Sequence, residues 1–300
     1  MNNKYGNFAS VKKSYGFIES NNYKTYYEVH TPNKHFADSA PVILLAGGPG
    51  LSYTTLTPLL RLAETRPVIV YDQIDSGKST RSEQFTSLNI SDYIEQFNSV
   101  MNEVGVNKYH ILGHSWGTIL GVNIALQYPE KIQSLILHSG IADWTKCLEA
   151  RKRFEIEQFT DDLLRIFKKL REGIKVSSDE KEIATKRFNS LYYCRVDYPA
   201  YLLEALNDKD TGTNQLIWNG EKNPDMTNYN ISPRLEEIEC PTLIISGMYD
   251  GISVGQADLF RAGIKNSQHI ELQNSSHYAH IEDEIEFLEQ VKNFIVEISA

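Results

Sequence analysis

The sequence predicts an α/β protein: a mostly parallel central sheet with helices on both faces and a helical segment inserted into it. Three observations carry that expectation. Short apolar runs alternate with amphipathic stretches up to about residue 140, the pattern of parallel strands joined by crossover helices. Between residues 141 and 235 the alternation stops and charged amphipathic stretches follow one another. It then resumes to the C-terminus. The division expected is a core of residues 1–140 and 236–300 with an insertion over 141–235.

Residues 15–19 and 23–30 read as strands, with Asn21-Asn22 as a hairpin turn between them. A polar loop follows over 31–40. Residues 41–46 are continuously apolar, as a strand buried on both faces requires, and run into Gly47-Gly48-Pro49-Gly50. A helix is expected over 53–64 and a second buried strand over 67–71, ending at Asp72-Gln73. Residues 89–104 carry Ile90, Tyr93, Ile94, Phe97, Val100, Met101 and Val104 at helical spacing, with Asn89 or Ser91 as cap. A strand through Ile111 and Leu112 and an apolar helix from about 119 to 127 come next, then a strand over 134–138.

Inside the insertion, helices are expected over 146–172, 179–194 and 199–207. Residues 211–232 are polar and turn-rich, with Asn219-Gly220 and Asn223-Pro224 as breakers. Strands over 241–246 and 268–272 and a final helix over 283–298 complete the chain.

The bulk properties exclude several classes. A net charge of −9 argues against nucleic acid or an anionic membrane as main partner, since both need clustered positive charge. The basic group Arg151-Lys152-Arg153 reads as a solvated helix face. Cys147, Cys194 and Cys240 are too scattered for a disulfide framework or a zinc site. Neither a metal nor an organic cofactor is implied. The polar N-terminus carries no apolar signal segment, and no run is long enough to span a bilayer. A cytoplasmic location is the expectation, and the oligomeric state is left open.

The chemistry centres on Gly113-His114-Ser115-Trp116-Gly117, a G-x-S-x-G pattern between a strand and a helix. A serine in such a turn takes strained backbone angles, and the flanking glycines leave room for the chain to fold back. Its hydroxyl needs a base, and the base needs a carboxylate to fix its tautomer. Asp250 follows the strand over 241–246, and His277 follows the last strand. The chain order Ser115, Asp250, His277 is that of α/β hydrolases. Two rivals are weighed against these. His280 sits nearer the helix entry, and Asp143 follows the strand over 134–138. His114 and His269 are assigned structural roles. An oxyanion hole needs two backbone N–H groups. Trp116 is expected to give one, and Gly48 the other, since Pro49 has no N–H. The stretch Ser76-Gly77-Lys78-Ser79 imitates a phosphate-binding loop but has Asp72 where glycine is required.

Taken together, Gly47-Gly48-Pro49-Gly50, Tyr71-Asp72-Gln73 with Ser76-Gly77 and Ser79, Gly113 to Gly117, Gly247-x-x-Asp250, and Ser276-His277 with Glu282 resemble the proline iminopeptidase family. The resemblance spans nearly the full length. It implies an α/β-hydrolase fold with a helical cap, a serine mechanism through an acyl-enzyme, and a small-molecule or short-peptide substrate cleaved at a small amide or N-terminal peptide bond. It also implies the triad Ser115, Asp250 and His277, with the Gly48 and Trp116 N–H groups as oxyanion hole. Relatives read the substrate amine with acids after an Asn-Gly in the cap and directly after the triad aspartate. Here the second position is Gly251. The first corresponds to Asn223 by spacing, with Glu221 and Asp225 close by. Ala46 replaces the family's histidine, and Ile74-Asp75 stands where Arg-Gly is common.

A bound ammonium without a buried counter-charge carries a large desolvation cost. An esterase or lactonase acting on a small apolar metabolite is therefore the alternative. A binding protein on a hydrolase scaffold would be expected to lack a triad member, and none is missing.

Overall fold

The structure, a computed structural model, describes residues 11–20, 23–32, 39–81, 88–218 and 224–298. The expected Asn21-Asn22 turn lies outside the described residues. Strands β1 (Lys12–Ser20), β2 (Tyr23–Thr31), β3 (Val42–Leu45), β4 (Val68–Tyr71), β5 (Tyr109–His114), β6 (Ile132–His138), β7 (Thr242–Gly247) and β8 (Ser267–Leu272) form one sheet. Their spatial order is β1-β2-β4-β3-β5-β6-β7-β8. The β1–β2 and β2–β4 pairs are antiparallel, and every later pair is parallel. The mostly parallel sheet expected from the sequence is present.

Continuous apolar strands are needed because both sheet faces are covered. In β3, Val42 and Leu44 pack on one face with the helical segment Tyr53–Glu64 and the C-terminal helix, while Ile43 and Leu45 face the other way. That second face is covered by α1 (Ile90–Val104) and α2 (Trp116–Gln127). Burying each such side chain contributes roughly 1.5–3 kcal/mol before entropy is counted. Asn89 is the N-cap of α1, its N–H donating to Asp92 at 2.7 Å, and Gly105 ends the helix at φ 68°. The segment Tyr53–Glu64 is a 3₁₀ helix rather than an α-helix, interrupted at Leu56, with Pro58 inside it. Proline offers no N–H for a regular helical ladder.

Between β6 and β7 lie α3 (Trp144–Gln158), α4 (Asp161–Arg171), α5 (Ser178–Phe188), α6 (Ala200–Asn207), α7 (Thr211–Trp218) and α8 (Pro224–Thr227). The helix expected over 146–172 is two, because Phe159 and Thr160 are extended and Thr160 starts a new helix with Asp161 and Asp162 in its first turn. The one expected over 179–194 ends at Phe188 and closes in a π-turn over Asn189–Tyr193. The stretch expected to be turns holds α7, whose first turn is capped by Asp210 accepting from Thr213 N–H at 2.7 Å. Phe159, Leu163, Ile166, Phe188 and Tyr192 form an apolar cluster of their own among these helices. The two ends of the segment meet. Asp143 bridges Asn230, Trp144 N–H donates to Tyr229 O at 2.9 Å, and Ile231 N–H donates to Ala142 O at 2.8 Å.

After β7 come α9 (Gln256–Gly263), α10 (Ala279–Glu282) and α11 (Glu284–Glu297). Among the described residues no helix is long and apolar enough to cross a membrane.

Candidate active site

Ser115 occupies the single-residue turn between β5 and α2, with φ 52° and ψ −117°. An L-residue is strained there and persists only when its surroundings fix it. Ser115 N–H donates to His138 O at 2.9 Å. A Cβ at Gly113 would lie 2.3 Å from Gly117 O, and one at Gly117 would lie 2.1 Å from Leu45 O. The glycines are therefore demanded by close backbone contact. Gly117→Ala is expected to cost about 3 kcal/mol of stability, read as a lowered urea midpoint.

Asp250 follows β7 and His277 follows β8. Both Asp250 oxygens lie 3.1 Å from His277 Nδ1. Oδ1 also accepts from the N–H groups of Ile252 (2.8 Å) and Ser253 (3.1 Å), and Oδ2 accepts from the Ser253 hydroxyl. Burial alone would raise the Asp250 pKa. The His277 ring and these hydrogen bonds outweigh it and hold the carboxyl well below the usual range. The rivals are engaged elsewhere. Asp143 accepts from Lys146 N–H at the start of α3. His280 Nε2 lies 2.9 Å from Thr55 O, and its Nδ1 lies 3.0 Å from His138 Nε2. Tyr193 stacks on the His277 ring at 5.6 Å between centroids.

His114, His138 and His280 form a buried cluster with ligand-capable nitrogens within 4.8 Å of one another, the group among the described residues able to hold a metal ion. His138 Nε2 meets His280 Nδ1 and His280 Nε2 meets Thr55 O, while His114 Nε2 separately meets His277 O at 2.9 Å. His114 thus holds the backbone of His277, a specific form of the structural role expected from the sequence.

Trp116 opens α2, and Gly48 lines the same cavity as Ser115. Gln73 ties these two parts together. Its Nε2 donates to Ala46 O at 3.0 Å, and its Oε1 accepts from Trp116 Nε1 at 2.9 Å. The sequence placed Gln73 at a strand end and within the family-like motif Tyr71-Asp72-Gln73, without a role for its side chain.

The cavity, about 270 Å³, is lined by Gly48, Ser115, Trp144, Tyr193, His277 and Tyr278, and also by Arg151 and Lys209. Arg151 is a correction: Lys152 and Arg153 are exposed, as a solvated face requires, but Arg151 turns inward. Of the residues expected to contact substrate, Glu221 and Asn223 lie outside the described residues. Gly251 is buried under the inserted helices. A Cβ there would stand 2.8 Å from Tyr192 Cβ and 3.3 Å from the Phe154 ring. No carboxylate fits at 251 while this aromatic cluster is in place. Gly251→Asp is expected to destabilise the protein by about 3 kcal/mol through overpacking against Tyr192 and Phe154, measured by urea unfolding.

Comparison with known proteins agrees with this architecture. A proline iminopeptidase of Heyndrickxia coagulans is 28% identical over 288 residues, spanning 93% of this chain and 98% of that protein. One of Saccharolobus solfataricus is 28% identical over 301 residues, spanning 98% and 95%. The crystal structure of proline iminopeptidase from Mycobacterium smegmatis superposes with a TM-score of 0.86 at 23% identity, covering 95% of this chain and 98% of that one, a likeness of fold. Residues 40–284 match the family described as alpha/beta hydrolase fold. The chain is a hydrolase and belongs to the alpha/beta hydrolase fold family.

Proposed function

We propose that the protein is a serine hydrolase that cleaves a small amide or N-terminal peptide bond through an acyl-enzyme. The observation that carries this reading is the Asp250–His277 pair, 3.1 Å apart, with His277 facing the same cavity as the strained Ser115. Ser115 Oγ attacks the substrate carbonyl while His277 Nε2 takes its proton. Asp250 holds Nδ1–H and so fixes the tautomer. The Gly48 and Trp116 N–H groups receive the oxyanion. On collapse, His277 returns the proton to the departing amine or alcohol. A water molecule, deprotonated by the same imidazole, then attacks the acyl-enzyme; as the acid is released, the imidazolium returns that proton to Ser115 Oγ. Residues 141–235 act as a cap over this centre, and residues 1–140 and 236–300 as the core.

A second reading, an esterase or lactonase, is favoured by the packing at Gly251, which leaves no room for the acid expected to read a free amine. A fluorophosphonate probe tests the chemistry: labelling of the wild type that is absent in Ser115→Ala supports it, and an unlabelled wild type refutes it. Comparing aminoacyl-naphthylamides with N-acetylated forms and short-chain esters then separates the two readings. Equal or faster turnover of blocked amides or esters decides against an aminopeptidase.

A further inference from the structure

The walls of the candidate cavity carry two positive side chains, and none of its described lining residues is acidic. Arg151 lies on α3 with Trp144, Cys147 and Phe154, spaced to share one helix face. That face is turned inward. Cys147 is fully buried with Sγ 3.2 Å from Ile252 O, and Phe154 packs edge-on against Tyr192. An arginine in such company ordinarily has an acid beside it. The natural candidate one turn on, Glu155, is paired with Arg171 instead, and Asp143 is occupied as the α3 cap.

Lys209 repeats the pattern between α6 and α7. Asp208 before it pairs with Arg81 at 2.5 Å, and Asp210 after it caps α7. Burial pushes the Lys209 ammonium below its usual pKa, with no carboxylate offsetting the effect among the described residues. Neither Arg151 nor Lys209 makes an ion pair among the described residues. Two half-buried cations facing one cavity are mutually unfavourable until an anion joins them. An ammonium placed there meets like charge, whereas a carboxylate meets a planar guanidinium fork and a lysine.

We infer that the substrate carries a carboxylate, held by Arg151 and Lys209 while its scissile carbonyl lies at Ser115. This rests on the serine hydrolase reading and adds the charge of the substrate to it.

The test uses two ester pairs, each a carboxylate and its neutral carboxamide counterpart: monoethyl glutarate for the acyl side, and 4-butyryloxybenzoate for the alcohol side. In the wild type at least one carboxylate is expected to exceed its carboxamide tenfold or more in kcat/KM. That ratio is expected to fall about tenfold in Arg151→Met and in Lys209→Met, mainly through KM, because methionine keeps an aliphatic stem without the charge. Equal or better turnover of both carboxamides overturns the inference, as does a preference that survives in the double variant. If no ester turns over, protection of Ser115 from the fluorophosphonate decides. Stronger protection by glutarate than by glutaramide supports the inference, and equal protection overturns it. An unlabelled wild type refutes the hydrolase reading, and this inference with it. Normal labelling without a carboxylate preference refutes this inference alone.

Discussion

Ser115→Ala is expected to lower kcat by on the order of 10⁶, His277→Ala by nearly as much, and the double variant by no more than either. In the proposed mechanism the serine and the imidazole act as one unit. Without the hydroxyl there is nothing to acylate, and without Nε2 nothing accepts its proton in the transition state. On the order of 10³ of acceleration over water is expected to survive in each variant, supplied by the oxyanion N–H groups and by substrate positioning. Asp250→Asn is expected to cost about 10⁴, because an amide that offers N–H to Nδ1 selects the wrong tautomer. Single-turnover kinetics on a chromogenic ester checks all four variants. Losses that add in the double variant would show that Ser115 and His277 do not work together.

Stability is expected to fall steeply as pH drops from 7 to 5. His110 and His280 are each brought down to about 4, first by burial, then by Arg66 beside His110 and by His277 beside His280. His114 and His138 lie well below the usual range, again from burial first and then from the neighbouring imidazoles. In the unfolded chain all four take up protons near pH 6.5. Between that value and about 4 the unfolded state therefore holds more protons than the folded one. The stability conferred by neutral histidines is complete above pH 6.5 and is lost as the pH falls. Each group contributes a slope approaching about 1.4 kcal/mol per pH unit.

Asp72 opposes this. Burial raises it to about 6, so its contribution weakens as pH rises from about 4 to 6. The lowered histidines, His269 among them, outnumber the raised acids Asp72 and Glu282, and the net loss between pH 7 and 5 is expected to reach several kcal/mol. Urea midpoints across this range measure it. A flat profile would mean that the histidine cluster is not held neutral.

Much of this was legible in the sequence because it depends on local pattern. Short apolar runs such as residues 41–46, ending at glycines, read as strands covered on both faces, and Gly113 and Gly117 mark a turn where backbone crowds backbone. The sequence favours Asp250 and His277 over Asp143 and His280 because each lies nearer a strand end, and the structure sets these two side chains 3.1 Å apart. What escaped depends on which way a side chain turns. Arg151 opens a run of three basic residues, and only the packing of α3 separates it from Lys152 and Arg153. The break at Phe159 and Thr160 had a visible signal, a threonine followed by two acids, but helical periodicity on both sides obscured it. The motif Tyr71-Asp72-Gln73 was visible but the role of Gln73 was not, because it lies in joining Ala46 to Trp116, far apart along the chain.

The meeting of Ala142, Asp143 and Trp144 with Tyr229, Asn230 and Ile231 has an evolutionary consequence. A long excursion whose ends are fastened side by side presents the sheet with a fixed pair of anchor points, whatever is strung between them. Lengthening such a loop costs little, since closure entropy grows only logarithmically with length. Helices that line the candidate cavity can thus be lost, added or rewritten behind this clasp while the strands leading to Ser115, Asp250 and His277 keep their register. Descendants of one ancestral catalyst can thereby diverge in diet without relearning how to fold.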